Sequence, residues 1–174
     1  MREDASAIVD LDALALRGGE AARLDLPLRP EAPVIAGELL TVDSDLVDAR
    51  VDVSRTSSGF ALRLRAETTL AGTCARCLGP AERGVQVDAR EIDQAAADDE
   101  ELRSPYVTEG LLDVGAWVRD ALRLNLPERL LCRSDCAGLC AVCGISLNEV
   151  DPEEHRHERP PDPRFAKLRE LTDT

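Results

Sequence analysis

The sequence most informative about this fold is LCRSDCAGLCAVCG, which runs from Leu131 to Gly144. It contains four of the six cysteines in the chain, and the other two form a CxxC pair further upstream. The only two histidines follow it as a His-x-His pair. The eight candidate ligands are Cys74, Cys77, Cys132, Cys136, Cys140, Cys143, His155 and His157. Because structural zinc binds four thiolate or imidazole ligands, eight residues suit two zinc sites.

These ligands can be divided between metal ions in two ways. In the first, the four cysteines of 132–143 bind one ion and the upstream CxxC pair stays a separate dithiol. In the second, the upstream pair joins Cys132 and Cys136, while Cys140 and Cys143 join the two histidines. Structural zinc sites usually take two ligands from each of two separated turns, because pinning distant segments together stabilises a fold most. We therefore prefer the second division, with zinc as the cofactor. The alternative for the histidines is a solvated polar tail.

Two other chemistries also use clustered cysteines. A CxxC pair is the motif of thioredoxin-type redox centres, but those lie at a helix N-terminus in a βαβ unit. Four cysteines can hold an iron–sulfur cluster, yet the glycine directly after Cys143 and the available histidines favour zinc. The chain has no Ser/His/Asp set or glycine-rich phosphate motif, and a closed four-ligand zinc site leaves no position for a substrate water. We therefore expect that the protein is not an enzyme.

Composition indicates a core built from small aliphatic side chains. Of 174 residues only 2% are aromatic, and the formal net charge is −13. Small aliphatic side chains bury less area each, which makes an added metal clip more useful. The opening MREDASAIVD has no apolar stretch of signal-peptide length, and no run approaches the roughly 20 apolar residues of a membrane span. We expect a cytoplasmic protein with no membrane contact, in a compartment where clustered cysteines favour metal over disulfides.

Two segments in the first half of the chain alternate apolar and polar residues, as half-buried strands do. One runs over 47–53 and the next over 60–70, with the turn sequence TSSG at 56–59 between them. Alternation resumes over 85–89, after the upstream CxxC pair. The pattern predicts antiparallel strands with one solvated face, and it places this CxxC pair at a hairpin tip.

The clearest helix follows Asp113, a good N-cap residue. From Val114, apolar residues recur at i, i+3, i+4, i+7 and i+8, and the helix is expected to end before Pro127. We expect this stripe to cover the dry face of the sheet, with Trp117 in the core rather than stacked on a base. Near the N-terminus, one or two helical turns are expected over 10–17, and Pro27 is expected to interrupt the following strand.

The predicted fold is α+β: an antiparallel β-sheet packed by one main helix, with zinc-knuckle clusters at a hairpin tip and after the helix. We expect a single domain over 1–174. Its predicted segments are a mainly β part over 8–93, an acidic loop over 94–110, a helix over 111–127, a zinc-binding segment over 128–157 and a C-terminal tail over 158–174.

The cysteine motifs resemble those of the YceD family. The matching elements are CARCL at 74–78, LNLP at 124–127, CRSDCAGLCAVCG at 132–144, LN at 147–148 and DPRF at 162–165 with Leu168. The resemblance covers nearly the whole chain, from about Asp10 to Leu171. Many members carry Cys-x-Cys where this chain has His155 and His157, and a histidine pair can replace a thiolate pair on zinc.

The resemblance implies a bacterial and plastid protein needed for normal accumulation of large-subunit ribosomal RNA. We therefore expect a non-enzymatic ribosome-biogenesis factor whose partner is a basic ribosomal protein or the pre-ribosomal large subunit, because an acidic surface attracts basic partners. The acidic stretch 98–101 is the candidate steering surface. The first alternative is a zinc protein that contacts RNA through Arg76, Arg129 and Arg133, and the second is a thiol oxidoreductase using the upstream CxxC pair.

Overall fold

The computed structural model describes residues 7–42, 46–94, 100–151 and 154–157. In these ranges the chain forms ten strands, one α-helix and one short 3₁₀ helix over Glu100–Leu102. The strands are β1 (Ile8–Asp10), β2 (Ala21–Leu28), β3 (Val34–Ile35), β4 (Glu38–Leu39), β5 (Thr41–Val42), β6 (Val47–Arg55), β7 (Phe60–Thr73), β8 (Pro80–Asp93), β9 (Val107–Thr108) and β10 (Leu111–Asp113). The helix, α1, spans Val114–Leu124. The predicted α+β class is confirmed.

The main sheet is antiparallel and is built around β7. Strand β6 lies between β2 and β7, β8 pairs with the other edge of β7, and β5 pairs with the end of β7. The alternation that predicted these strands separates a buried face from a solvated one. Val47, Val51 and Val53 in β6 and Leu62 and Leu64 in β7 are buried in the core. Burial of branched aliphatic side chains on one face therefore sets the register of the sheet.

Strands β7 and β8 form a long hairpin that presents the upstream CxxC pair. Their pairing runs from Phe60 opposite Asp93 to Thr73 opposite Pro80, so both strands reach the same end of the sheet. The residues between them are 74–79, which confirms the predicted position of this CxxC pair between two antiparallel strands. The hairpin thus holds both cysteines of the pair in the turn at its tip.

The helix is shorter than the predicted range of 111–127. Residues 111–113 form β10, which pairs with β1 and β9 in a second, three-stranded sheet. The helix begins only after Asp113, whose carboxylate accepts the backbone N–H of Ala116 at 2.8 Å. The cap itself is extended, so the residues before it can continue a strand. As predicted, Trp117 is buried in the core, where its ring stacks on Tyr106 at 5.8 Å between centroids.

Three further expectations need correction or lie outside the described residues. Residues 10–17 form the end of β1 and a turn rather than helical turns, because the Asp10 carboxylate accepts the N–H groups of Asp12 and Ala13. Strand β2 includes Pro27, which is tolerated because β2 is an edge strand among the described residues and pairs there with β6. The predicted loop 94–110 contains the 3₁₀ helix and β9, while residues 95–99 and the tail 158–174 lie outside the described ranges.

Candidate metal centres

The two CxxC turns share one backbone conformation. In the upstream turn, Cys74 N–H donates to Gly79 O at 2.8 Å, and Leu78 N–H donates to Cys74 O at 3.0 Å. The downstream turn repeats both bonds, since Cys140 N–H donates to Ile145 O at 2.8 Å and Gly144 N–H donates to Cys140 O at 2.8 Å. Both turns therefore present two cysteine sulfurs to the same side of a tight loop.

This shared turn has a left-handed residue four positions after its first cysteine. In the downstream turn that residue is Gly144, at φ +75°. In the upstream turn it is Leu78, at φ +58°, rather than the neighbouring Gly79. Glycine adopts this conformation without steric cost, whereas a leucine is strained there. The geometry of the turn therefore does not explain why a leucine occupies this position.

The first centre consists of Cys74, Cys77, Cys132 and Cys136. Their four sulfurs lie within 4.8 Å of one another. The Sγ atoms of Cys74 and Cys136 are 3.8 Å apart, and those of Cys77 and Cys132 are 3.7 Å apart. Tetrahedral zinc with bonds of about 2.3 Å separates its sulfurs by about 3.8 Å. The donor type, number and spacing therefore fit a tetrahedral Cys₄ site.

The first centre is continuous with the hydrophobic core. Cys74 and Cys136 are buried with relative exposures of 0% and 1%. A backbone hydrogen bond joins the hairpin tip to the segment after the helix, since Ala75 N–H donates to Leu130 O at 2.8 Å. Gly138 also packs here, since a Cβ at this position would lie 3.2 Å from Arg76 O. The segment after the helix thus docks directly on the hairpin tip.

Two polar side chains brace the first centre from outside its ligands. Arg76 Nη1 donates to Cys136 O at 2.8 Å and so links the two ligand pairs. Asn148 Nδ2 donates to Cys136 Sγ at 3.3 Å, while its Oδ1 accepts from Ala137 N–H and from Arg133, each at 2.8 Å. Outer-shell partners of this kind orient metal ligands and tune their affinity. The sequence does not predict this role for Asn148. The residue stands out there only because it belongs to the LN motif at 147–148.

The electrostatics of the first centre favour a thiolate at two of its cysteines, Cys74 and Cys136, and disfavour one at Cys132. The backbone N–H of Cys77, followed by that of Cys132, lowers the pKa of Cys74 to about 6. The Asn148 amide is the largest cause that lowers the pKa of Cys136. Burial, reinforced by the neighbouring sulfurs, instead raises the pKa of Cys132 to about 12. Since the thiolate is the form that binds metal, a divalent cation would stabilise the charge that these N–H groups already favour.

The second centre consists of Cys140, Cys143, His155 and His157, whose ligand atoms also lie within 4.8 Å of one another. Cys143 Sγ lies 3.5 Å from His155 Nε2, and the Nε2 atoms of the two histidines are 3.0 Å apart. The N–H of Cys143 and then the His155 ring lower the pKa of Cys140 to about 6. Tetrahedral zinc with Zn–S of about 2.3 Å and Zn–N of about 2.1 Å separates sulfur from nitrogen by about 3.6 Å and two nitrogens by about 3.4 Å. The sulfur–nitrogen distance fits such a site, while the two histidine nitrogens lie closer together than a bound zinc would hold them.

The structure therefore gathers the eight predicted ligands into the two quartets of the second division. The histidines lie beside the downstream cysteines rather than away from them as a solvated tail. Of the arginines considered for RNA contact, Arg76 donates to the carbonyl of the ligand Cys136, and Arg133 donates to Asn148, which braces that ligand. Their guanidinium groups are thus partly used within the protein.

No helix in the described ranges is long and apolar enough to cross a membrane.

The family model described as "Large ribosomal RNA subunit accumulation protein YceD" matches residues 62–172. This match covers both ligand quartets and more than half of the chain. The chain belongs to the YceD family. Relatives of this YceD family member occur in mycobacteria. A protein from Mycobacterium tuberculosis and one from Mycobacterium bovis, both named as uncharacterized, are 35% identical over 173 residues, which is 94% of this chain and 80% of each relative.

A third relative aligns over a shorter stretch. A protein from Mycobacterium leprae, also named as uncharacterized, is 38% identical over 103 residues, which is 56% of this chain and 46% of the relative. No solved structure matches the chain. The arrangement of the two quartets in this YceD family member therefore rests on its own geometry, without a solved relative for comparison.

Proposed function

We propose that this protein is a non-enzymatic ribosome-biogenesis factor that supports accumulation of large-subunit ribosomal RNA and works through a basic ribosomal protein. The observation that carries the proposal is the family match over 62–172, because the family description names this process. The matched range includes the hairpin tip and the segment after the helix, in which both centres lie.

Zinc has a structural role in this proposal. Each quartet would hold one zinc ion through four protein ligands, which closes the coordination shell. Zinc in the first quartet would supply a rigid crosslink between the hairpin tip and the chain after α1, and zinc in the second would join residues 140–143 to 155–157. No ligand position is then left for a substrate, which fits a protein that organises a surface rather than one that turns over a substrate.

The charge of the chain supports a protein partner over an RNA phosphate backbone. A net charge of −13 repels phosphates, whereas it speeds encounter with basic proteins and makes this encounter sensitive to salt. Ribosomal RNA-binding proteins are basic, so a large-subunit protein or an assembly intermediate that exposes one is the proposed partner. We place this function in the cytoplasm, where thiols stay reduced and able to bind metal.

The oxidoreductase alternative has less structural support. A redox-active CxxC pair usually lies at a helix N-terminus, where the helix dipole stabilises its thiolate. The upstream pair lies between two antiparallel strands, and a second pair of cysteines faces it at 3.7 and 3.8 Å. Four converging thiols suit metal binding better than exchange with one substrate disulfide.

Affinity purification from nuclease-treated lysate tests the partner class. Tagged protein is captured after digestion of RNA, and retained proteins are identified beside a tag-only control. We expect retention of a basic large-subunit protein. Loss of every ribosomal component once RNA is destroyed would contradict the proposal and favour direct RNA contact. Depletion of the protein from its host should in parallel lower the ratio of large-subunit to small-subunit ribosomal RNA.

A further inference from the structure

An apolar cleft of about 150 Å³ lies beside the first centre. It is lined by Leu40, Leu130 and the buried Cys74, together with Ile35 from the β3–β4 hairpin. Leu78, from the upstream CxxC turn, also lines it. Apart from Cys74, the ligands of the two quartets do not line the cleft. The cleft is therefore a feature that metal binding by itself does not account for.

Part of the apolar lining of the cleft is exposed to solvent. Leu78 has a relative exposure of 67%, whereas Val34 and Leu39 form the neighbouring cross-strand pair of the hairpin and do not line the cleft. An exposed leucine that is continuous with an apolar cleft forms a patch, and contiguous apolar patches typically mark an interaction site. A two-stranded hairpin is also marginal by itself, so it gains most from a partner that covers it.

Leu78 provides an independent observation. It occupies the left-handed position that Gly144 occupies in the other turn, at φ +58° against +75°. A leucine there costs conformational energy that a glycine would avoid, and strain of this kind concentrates at binding sites. The Leu78 side chain, which is present despite this strain, lines the cleft. A contact made by the leucine side chain would explain its presence.

The size and charge of the cleft identify the class of ligand. A volume of about 150 Å³ matches an apolar cavity that accepts one benzene-sized group, and it is smaller than the pockets that bind whole cofactors. Exposed Glu38 and Glu128 line the cleft with Arg129, so acids outnumber bases there as they do in the whole chain. These features fit one large apolar side chain within a basic segment.

We propose that this cleft binds a basic peptide segment of a partner protein, with one Leu- or Phe-sized side chain inserted between Leu78 and the β3–β4 hairpin. The segment's flanking Arg or Lys residues would pair with Glu38 and Glu128. This inference rests on the proposed function, since it gives the basic ribosomal partner a place to bind. A second copy of this chain is disfavoured by its own −13 charge, and RNA by the acidic side chains of the cleft.

Purified full-length protein and labelled peptides test the cleft directly. The probe is a short Arg/Lys-rich peptide with one central leucine, compared with the same peptide carrying alanine there and with an acidic version. Fluorescence anisotropy should show binding of the leucine peptide, weakened about tenfold by the alanine change and abolished in the acidic peptide. Equal binding of the leucine and alanine peptides, or none of either, would overturn the proposal.

Two variants with matched controls locate the binding site. Leu78→Asn tolerates the left-handed backbone and should weaken the leucine peptide about tenfold, whereas Leu124→Asn, at a position 86% exposed elsewhere, should not. Glu128→Lys should weaken binding several-fold at low salt, and Glu67→Lys much less. Unchanged affinity in both Leu78→Asn and Glu128→Lys would place the site elsewhere. Metal content and melting temperature establish that each variant is folded.

Further measurements on the same samples separate the competing occupants. If Leu78→Asn instead abolishes binding of an RNA oligonucleotide or self-association in sedimentation, the cleft has a different ligand and the proposal is wrong. Peptide binding uses purified protein, so its failure is distinct from failure of the nuclease-treated capture. If the Leu78→Asn variant still captures a basic protein from nuclease-treated lysate, the proposed function stands. The cleft would then be rejected as the binding site.

Discussion

The two centres use the same turn but differ in how they are joined to the fold. The first has two ligands buried in the core, Cys74 and Cys136, and connects the hairpin tip to the chain after the helix. In the second, Cys143 and His157 are exposed, and only 11 residues separate Cys143 from His155 along the chain. Closing a longer loop removes more entropy from the unfolded chain, so the first centre should contribute more to stability.

Hydrogen bonds from neighbouring side chains also brace the first centre. Arg76 and Asn148 donate to the carbonyl and sulfur of Cys136 in the first centre. Asn148 also lies in the segment that follows the downstream turn, where Leu147 N–H donates to Gly138 O at 2.8 Å. Equal ligand counts therefore do not make equal sites, because burial and outer-shell contacts decide how much of the fold depends on each.

Removal of one ligand from each centre should have very different effects. Cys136→Ser leaves a buried site incomplete, and we expect the melting temperature to fall by about 10 °C or more. Cys143→Ser should lower it by about 3 °C or less, because that centre holds a short exposed loop. Thermal unfolding followed by circular dichroism measures both. Equal losses would break the proposed difference between the centres.

Loss of the Asn148 amide should weaken the first centre without removing a ligand. Asn148→Ala is expected to lower metal affinity there by about 10- to 100-fold, since its Nδ2 donates to Cys136 Sγ. Arg133→Gln is the matched control. Arg133 donates to the oxygen of the Asn148 amide, so this change removes a partner of Asn148 without removing the bond to the Cys136 sulfur. Competition with a chromophoric chelator gives the affinities. Similar affinities for both variants would mean that Asn148 has no influence on the metal.

The smallest effect concerns ion pairs on the outer face of the sheet, which do not depend on metal. The hydrogen bond from Arg23 is the largest cause that lowers the pKa of Asp52 below 3.8, with contact with Arg65 acting in the same direction. A depressed carboxyl pKa stabilises the fold above 3.8, and this stabilisation is lost as pH falls through the folded-state pKa. Arg23→Gln should raise the Asp52 pKa toward 3.8 in an NMR titration. Arg50→Gln, whose bond is to Asp25, should change it less.

Much of the fold follows from local patterns. Alternation over 47–53 and 60–70 predicts the strands because one face of the sheet is buried and the other solvated. The cap and the apolar stripe predict the helix, yet the predicted range starts too early. Residues 111–113 form a strand only because β1, about a hundred positions earlier, pairs with them. A pairing between such distant segments leaves no local signal in the sequence.

The candidate site is predictable in its ligands but not in its surroundings. Cysteine and histidine identities and spacing leave two divisions of the eight residues open, and the preference for ligands from separated turns selects the one that the structure brings together. The contact of Asn148 with Cys136 and the left-handed backbone at Leu78 depend on how two turns dock in space. Neither residue type is diagnostic by itself. These features therefore emerge only from the three-dimensional structure.

The two quartets imply that one chain holds two zinc ions, one in each quartet. Native mass spectrometry of protein purified without chelator measures this directly. We predict a main species with two zinc ions per chain, and a species with one zinc for the His155→Ala/His157→Ala variant, since only the second centre loses its ligands. Folded wild-type protein that carries no zinc, or a histidine variant that still carries two, would contradict the account.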